Sequence, residues 1–114
     1  MITGTGIDIV NIKRIKKSLS KFGEKFIQKI LSDKEIEKIP RVKKEEFIAG
    51  RFAAKEALVK ASGIALTFNT VTILNDIDGK PAIVELPADI SHKKIHLSIS
   101  HGSGYAAAFV IIEE

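Results

Sequence analysis

A chain of 114 residues with 45% hydrophobic content is long enough for one compact core, so a single domain over residues 1–114 is expected. Eighteen Lys and Arg against 14 Asp and Glu leave a net charge of +4, which attracts polyanions without naming one. Cysteine is absent, which excludes disulfides, thiolate metal ligands and a cysteine nucleophile and leaves oxygen or imidazole for any metal. Met1 to Val10 lacks the basic and apolar segments of a signal peptide, and no run approaches about 18 apolar residues, so the expectation is a soluble, cytoplasmic protein without membrane contact. A core of this size is modest, and a deep, water-poor site is easier to build between copies than within one.

Ile2 to Val10 reads as a strand interrupted by Gly4 and Gly6, a pattern that marks a bulge or a close approach by another element. Asn11 is a suitable N-cap for a helix in which Ile12, Ile15 and Leu19 recur at helical spacing while Lys13, Arg14, Lys16 and Lys17 crowd the other faces. After a break at Ser20, Phe22, Phe26, Ile30 and Leu31 continue a helical pattern, and Ser32 with Glu35 forms a capping box for a short third helix ending before Pro40. Lys43 to Ser62 carries the strongest helical signal, with Phe47, Phe52 and Val59 for burial, alanines for close packing and Gly63 as C-cap. Beyond it the period becomes β-like. Val71 to Leu74 and Ala82 to Leu86 flank an Asp78-Gly79 turn, and Ile95 to Ser100 and Tyr105 to Ile112 flank His101-Gly102-Ser103-Gly104. Helices first and antiparallel strands later indicate an α+β fold, with helices packed on an antiparallel sheet.

Three segments hold the candidate chemistry. Asp8 follows an apolar strand and precedes a helix, where a carboxylate either binds a hard cation or caps the helix. Glu56 and Lys60 stand four apart, the spacing of an ordinary surface ion pair, yet Phe52 lies on the same stripe and sets both beside an apolar strip. His101 ends a strand of small and apolar residues at a glycine-rich turn, where a histidine is either merely exposed or placed beside a ligand; His92 and His96 read as surface residues.

Taken together, Gly-Ile-Asp-Ile-Val near the start, Gly-Arg-Phe-Ala-Ala-Lys-Glu-Ala in the long helix, Asp-Gly-Lys-Pro in the hairpin, and Ser-Ile-Ser-His followed by Tyr-Ala resemble the holo-acyl-carrier-protein synthase family of phosphopantetheinyl transferases. The resemblance implies a 4'-phosphopantetheinyl transferase-like fold. It implies that Asp8 and Glu56 are magnesium-binding carboxylates, with coenzyme A phosphate oxygens and water completing the Mg2+ shell. Lys60 would contact phosphate, Arg51 with Lys43 or Lys44 would meet the nucleotide's phosphates, and His101 would lie beside the coenzyme A diphosphate. The implied catalytic set is therefore Asp8, Glu56, Lys60 and His101.

The reaction so implied is an in-line displacement in which a carrier serine attacks the pantetheine-side phosphorus and adenosine 3',5'-bisphosphate leaves. Its transition state spreads charge over phosphoryl oxygens, so positioning outweighs covalent help. The serine proton goes either to a water on the metal or to Glu56. Lys13, Arg14, Lys17, Lys25 and Lys29 with Phe26 lie where the family meets its acidic acyl carrier protein in fatty acid biosynthesis. A homotrimer with sites between subunits is also implied, and which subunit supplies which residue stays open. Two departures from the family pattern stand out: the segment after Gly63 is several residues short, and Gly102-Ser103-Gly104 is glycine-rich, which suggests a mobile turn. Two rivals are a nucleic-acid-binding module and a family member that binds coenzyme A without transferring its arm. A single Tyr and no Trp leave the first without a stacking surface, so no nucleic acid is expected.

Overall fold

In the computed structural model, which describes residues 1–114, the first strand β1 (Ile2–Asn11) runs directly into α1 (Ile12–Phe22). Asn11 makes that junction: its side-chain oxygen accepts a hydrogen bond from the Lys13 amide at 2.9 Å. The end of α1 lies at Gly23 and not at Ser20, because the glycine takes φ = 58° while its amide closes on the Leu19 carbonyl at 2.8 Å. α2 (Glu24–Ile30) follows, and then α3 (Asp33–Ile36), which begins with the expected capping box. The Ser32 amide donates to Glu35 at 2.9 Å, and the Glu35 amide donates to the Ser32 hydroxyl at 3.3 Å. α4 (Lys44–Ser62) ends on Gly63 in the left-handed region.

The strands form two sheets. β2 (Thr72–Asn75) and β3 (Pro81–Glu85) make an antiparallel hairpin. β4 (Lys94–Gly102) and β5 (Tyr105–Glu113) join β1 in an antiparallel sheet of order β1-β5-β4. The last connection is tighter than the sequence suggests. Pairing continues to Gly102 and resumes at Tyr105, leaving Ser103 at φ = 52° and Gly104 at φ = 82° as a two-residue turn. The Gly104 carbonyl accepts from the Ile12 amide at 2.9 Å, which ties this turn to the start of α1.

α4 crosses one face of the three-stranded sheet. A Cβ on Gly4 would lie 2.0 Å from the Ala61 carbonyl oxygen, and one on Gly6 would lie 1.9 Å from that of Ala57, so strand and helix backbones touch directly. Residues of alanine size are all that this seam admits. Ala49, Ala53 and Ala57 are therefore buried there, whereas Phe47, Phe52 and Val59, expected in the core, are displaced to the helix flanks and only half-buried. Ile15, Leu31, Ile48, Leu58, Val110 and Ile112 belong to the same core cluster. The opposite sheet face is uncovered in the single chain and exposes Ile7, Ile9, Tyr105 and Phe109.

A buried ion pair fastens the helices to the hairpin. The fully buried Lys55 ammonium donates to the Ile30 carbonyl at 2.8 Å, the Phe68 carbonyl at 2.9 Å and the Glu35 carboxylate at 2.5 Å. Glu35 also accepts from the Ile73 amide of β2 at 3.0 Å. Burial pushes the Lys55 pKa below its usual value, and the Glu35 charge opposes that shift.

Because the β1–α4 seam has no room for a side chain, Gly6→Ala is expected to destabilise the protein by about 3 kcal/mol or more, through overpacking against helix backbone. Urea denaturation measures this, and a loss below about 1 kcal/mol would show that the seam yields freely.

Candidate active site

Glycine packing sets the position of Asp8. Gly4, Gly6 and Asp8 alternate onto the same face of β1, and Gly4 meets Ala61 while Gly6 meets Ala57. Two strand residues advance about 7 Å and one helical turn advances about 5.4 Å, so Asp8 lies about one turn nearer the start of α4, beside the stripe carrying Glu56. Lys60 closes this group. Its ammonium donates to Asp8 Oδ1 at 3.2 Å and to the Ile7 carbonyl at 2.9 Å. The lysine of the sequence-level Glu56–Lys60 pair thus bonds to Asp8, which does not cap α1 because Asn11 does. The Asp8 side chain is 17% exposed and that of Lys60 55%, so the ammonium covers the carboxylate from the solvent side.

Glu56 lies on the floor of a cleft of about 730 Å³. Phe52 shares the floor, Phe22, Lys25, Phe26 and Lys29 form one wall, and Leu66 and Phe68 form the other. The expected carrier-facing residues Lys25, Phe26 and Lys29 therefore border the same space as Glu56. Lys13, Arg14 and Lys17 are exposed on α1, and Arg14 lines a smaller recess shared with Phe26 and Phe52.

The remaining expected residues lie elsewhere. His101 sits on the edge strand β4, with Nε2 3.0 Å from the Glu46 carbonyl and its ring packed against Gly50. Asp8 is level with Ala108 and Ile99 across the sheet, so His101, two residues further along β4, is about 12 Å away between α carbons. Lys43 and Lys44 are exposed at the same end of α4 as His101, and Lys43 enters the helix at φ = 58°. Arg51 is buried beneath β2. It donates to Asn75 at 3.2 Å and to the Ile73 carbonyl at 3.4 Å, and stacks on Phe47 at 4.2 Å. One protomer thus pairs Asp8 with Lys60, one helical turn from Glu56, and keeps Lys43, Lys44 and His101 at the other end of the helix.

The buried pairing of Lys55 with Glu35 is not expected from the sequence, although a signal was present. Ile48, Arg51, Lys55 and Leu58 recur at spacings of three and four, so the helical period itself places two cations on a buried stripe.

The 4'-phosphopantetheinyl transferase superfamily has a family model that matches residues 4–110. Among curated relatives, the holo-[acyl-carrier-protein] synthase of Maridesulfovibrio salexigens is 44% identical over 124 residues, covering 100% of both chains. That of a Geobacillus species is 46% identical, covering 99% of this chain and 98% of the relative. In three dimensions the chain superposes on the holo-[acyl-carrier-protein] synthase of Neisseria meningitidis with a TM-score of 0.91 at 36% identity, over 100% of each chain. It also matches the Helicobacter pylori synthase, solved in complex with coenzyme A, with a TM-score of 0.84 at 36% identity over 96% and 99% of the two chains. The chain belongs to the holo-acyl-carrier-protein synthase family of 4'-phosphopantetheinyl transferases. No helix is long and apolar enough to cross a membrane.

The two lysine–carboxylate pairs differ in burial, and their stability contributions should differ with it. Lys55→Met leaves Glu35 charged and buried and is expected to cost about 3–5 kcal/mol, whereas Lys60→Met is expected to cost less than about 1 kcal/mol. Urea titration of the two variants measures the difference; equal losses would remove the distinction between an internal fastening and a solvent-accessible, redeployable cation.

Proposed function

We propose that this chain transfers the 4'-phosphopantetheine arm of coenzyme A to a serine of an apo acyl carrier protein, releasing adenosine 3',5'-bisphosphate, in fatty acid biosynthesis. The observation that carries the reading is the meeting of Asp8 and Lys60 on the α4 stripe that delivers Glu56 to a basic-rimmed cleft. The names of the relatives support the same reaction.

The residues fit a divalent cation. Asp8 presents a carboxylate whose side-chain partner is the half-exposed Lys60 ammonium, Glu56 stands one helical turn before that lysine on α4, and both carboxylates offer the hard oxygen donors magnesium requires. Asp8 and Glu56 would hold Mg2+, which when bound supplies charge neutralisation on the diphosphate. Lys60, released from Asp8, turns its ammonium toward phosphate oxygen. Glu56, or water beside the cation, would take the serine proton as the serine oxygen–phosphorus bond forms and the bond to the bisphosphate leaving group breaks. Lys25 and Lys29, with Lys13, Arg14 and Lys17 on α1, present positive charge to an acidic carrier, and Phe26 gives that surface an apolar anchor.

In this proposal the active unit is a homotrimer. Ile7, Ile9, Tyr105 and Phe109 form an apolar sheet face that assembly would cover, and Lys43, Lys44 and His101 gather at the end of α4 away from Lys60 and Asp8. Association lets one copy's His101 end meet another copy's Asp8 end. Arg51 serves that nucleotide end from beneath, through the helix segment that carries it.

Incubation with coenzyme A, Mg2+ and an apo carrier should raise the carrier mass by one phosphopantetheine arm, read by mass spectrometry. Asp8→Ala and Glu56→Ala should each lower turnover by about 100-fold or more. Undiminished turnover of either variant at saturating Mg2+ would overturn the assignment, and binding of coenzyme A without any mass gain by the carrier would identify the non-transferring rival. Arg14→Glu should slow transfer by about 10-fold at low salt, with the gap to wild type closing as salt rises. A defect that persists undiminished in high salt would exclude electrostatic steering.

A further inference from the structure

The cleft beside Glu56 has two walls from distant parts of the chain, and one buried ammonium holds both. Ile30 ends α2 and Phe68 starts a single 3-10 turn after the segment 64–67; both residues line the cleft, and the carbonyls of both accept from Lys55 Nζ, at 2.8 and 2.9 Å. The third donor of the ammonium goes to Glu35, whose carboxylate reaches on to the amides of Ser32 and Ile73. Lys55 immediately precedes Glu56 on α4, so the fastening originates next to the residue that forms the floor.

We infer that the Lys55–Glu35 pair is a positioning device that sets the width of this cleft on its α2 side, where the carrier protein is received. Ion pairing alone gives stability no advantage here, since apolar residues of similar size serve a core as well as a buried ion pair. What an apolar pair cannot do is donate to the Ile30 and Phe68 carbonyls, which belong to two different cleft-lining segments. The Ile30 carbonyl belongs to the last turn of α2, where no intrahelical donor remains, and Lys55 supplies one. With that bond lost, α2 is held to α4 by side-chain packing and to the 3-10 turn only by the exposed hydrogen bond that Asn69 Nδ2 donates to the Gln28 carbonyl at 3.1 Å, and Lys25, Phe26 and Lys29 lose their fixed distance from Glu56.

The inference rests on the proposed transfer reaction, and its test separates the two. The variant is the double substitution K55M/E35Q, which removes the ammonium without leaving a carboxylate buried alone. Its thermal midpoint should fall by no more than about 10 °C, because two carbonyls lose a donor while no lone charge is left buried. Hydrogen exchange at the amides of residues 27–31 and 66–70 should accelerate about 10-fold while that of β5 stays unchanged. In the transfer assay the KM for the apo carrier should rise about 10-fold, with the KM for coenzyme A and kcat within about 3-fold of wild type. A purely structural pair would lower kcat through a smaller folded fraction and leave both KM values alone. Unchanged exchange at the two walls, an unchanged carrier KM, or outright unfolding of the double variant would each overturn the inference. Failure of wild type itself to modify the carrier would count against the proposed reaction, while the exchange measurement would still report on the walls.

Discussion

The contact on which the site depends is between two backbones. Gly4 and Gly6 bring β1 against α4 so closely that carbonyl oxygens of the helix occupy the space of missing side chains. Such a seam has one register, because shifting either element would drive a side chain into backbone. The register decides which residue of β1 faces which turn of α4, and it places Asp8 at Lys60 and beside the Glu56 stripe. A carboxylate 52 residues before Lys60 in the chain is thereby set against the helix with about the precision that a hydrogen bond demands.

Much of this was legible in the sequence because the signals were local. Asn11, the Ser32–Glu35 box, Gly63 and the Asp78-Gly79 turn each fix an element boundary through a backbone requirement that few residue types meet, and the structure has its boundaries there. The break after α1 was misjudged by three residues because serine is only a weak helix breaker, whereas Gly23 can take the positive φ that the chain needs. Burial in α4 was misassigned for a different reason. Size suggested Phe47, Phe52 and Val59 for the core, but the partner strand presents glycine, and a glycine surface selects the smallest residues opposite it. The burial of Lys55 and Arg51 was not legible because a charged residue is ordinarily placed outside, although both lie in phase with Ile48 and Leu58.

Of the candidate site, the sequence predicted the carboxylates and the lysine but not how they pair. Spacing alone joined Glu56 to Lys60, since four residues make one helical turn. Tertiary packing brings Asp8 into reach of the same ammonium together with the Ile7 carbonyl, and two acceptors from one strand hold Lys60 better than one flexible glutamate on its own helix. Glu56 is thereby left free of that lysine and turned to the cleft. The position of His101 was equally beyond local reasoning, because its separation from Asp8 is set by strand order, with β5 inserted between β1 and β4.

The two buried or half-buried lysines of α4 divide the work between holding and acting. Lys55 spends all three donors inside the protein, on acceptors that cannot leave, and its desolvation is tolerable only because Glu35 is charged beside it. Lys60, five residues later, is more than half exposed and makes its bonds at the surface of the seam, where water can replace any one of them cheaply. A cation placed there neutralises Asp8 while staying open to water, which Lys55 cannot do. Helical spacing sends the two lysines to different surroundings: Lys55 points under the cleft and Lys60 across the seam. A single helix therefore carries one lysine closed inside the protein and one open to water.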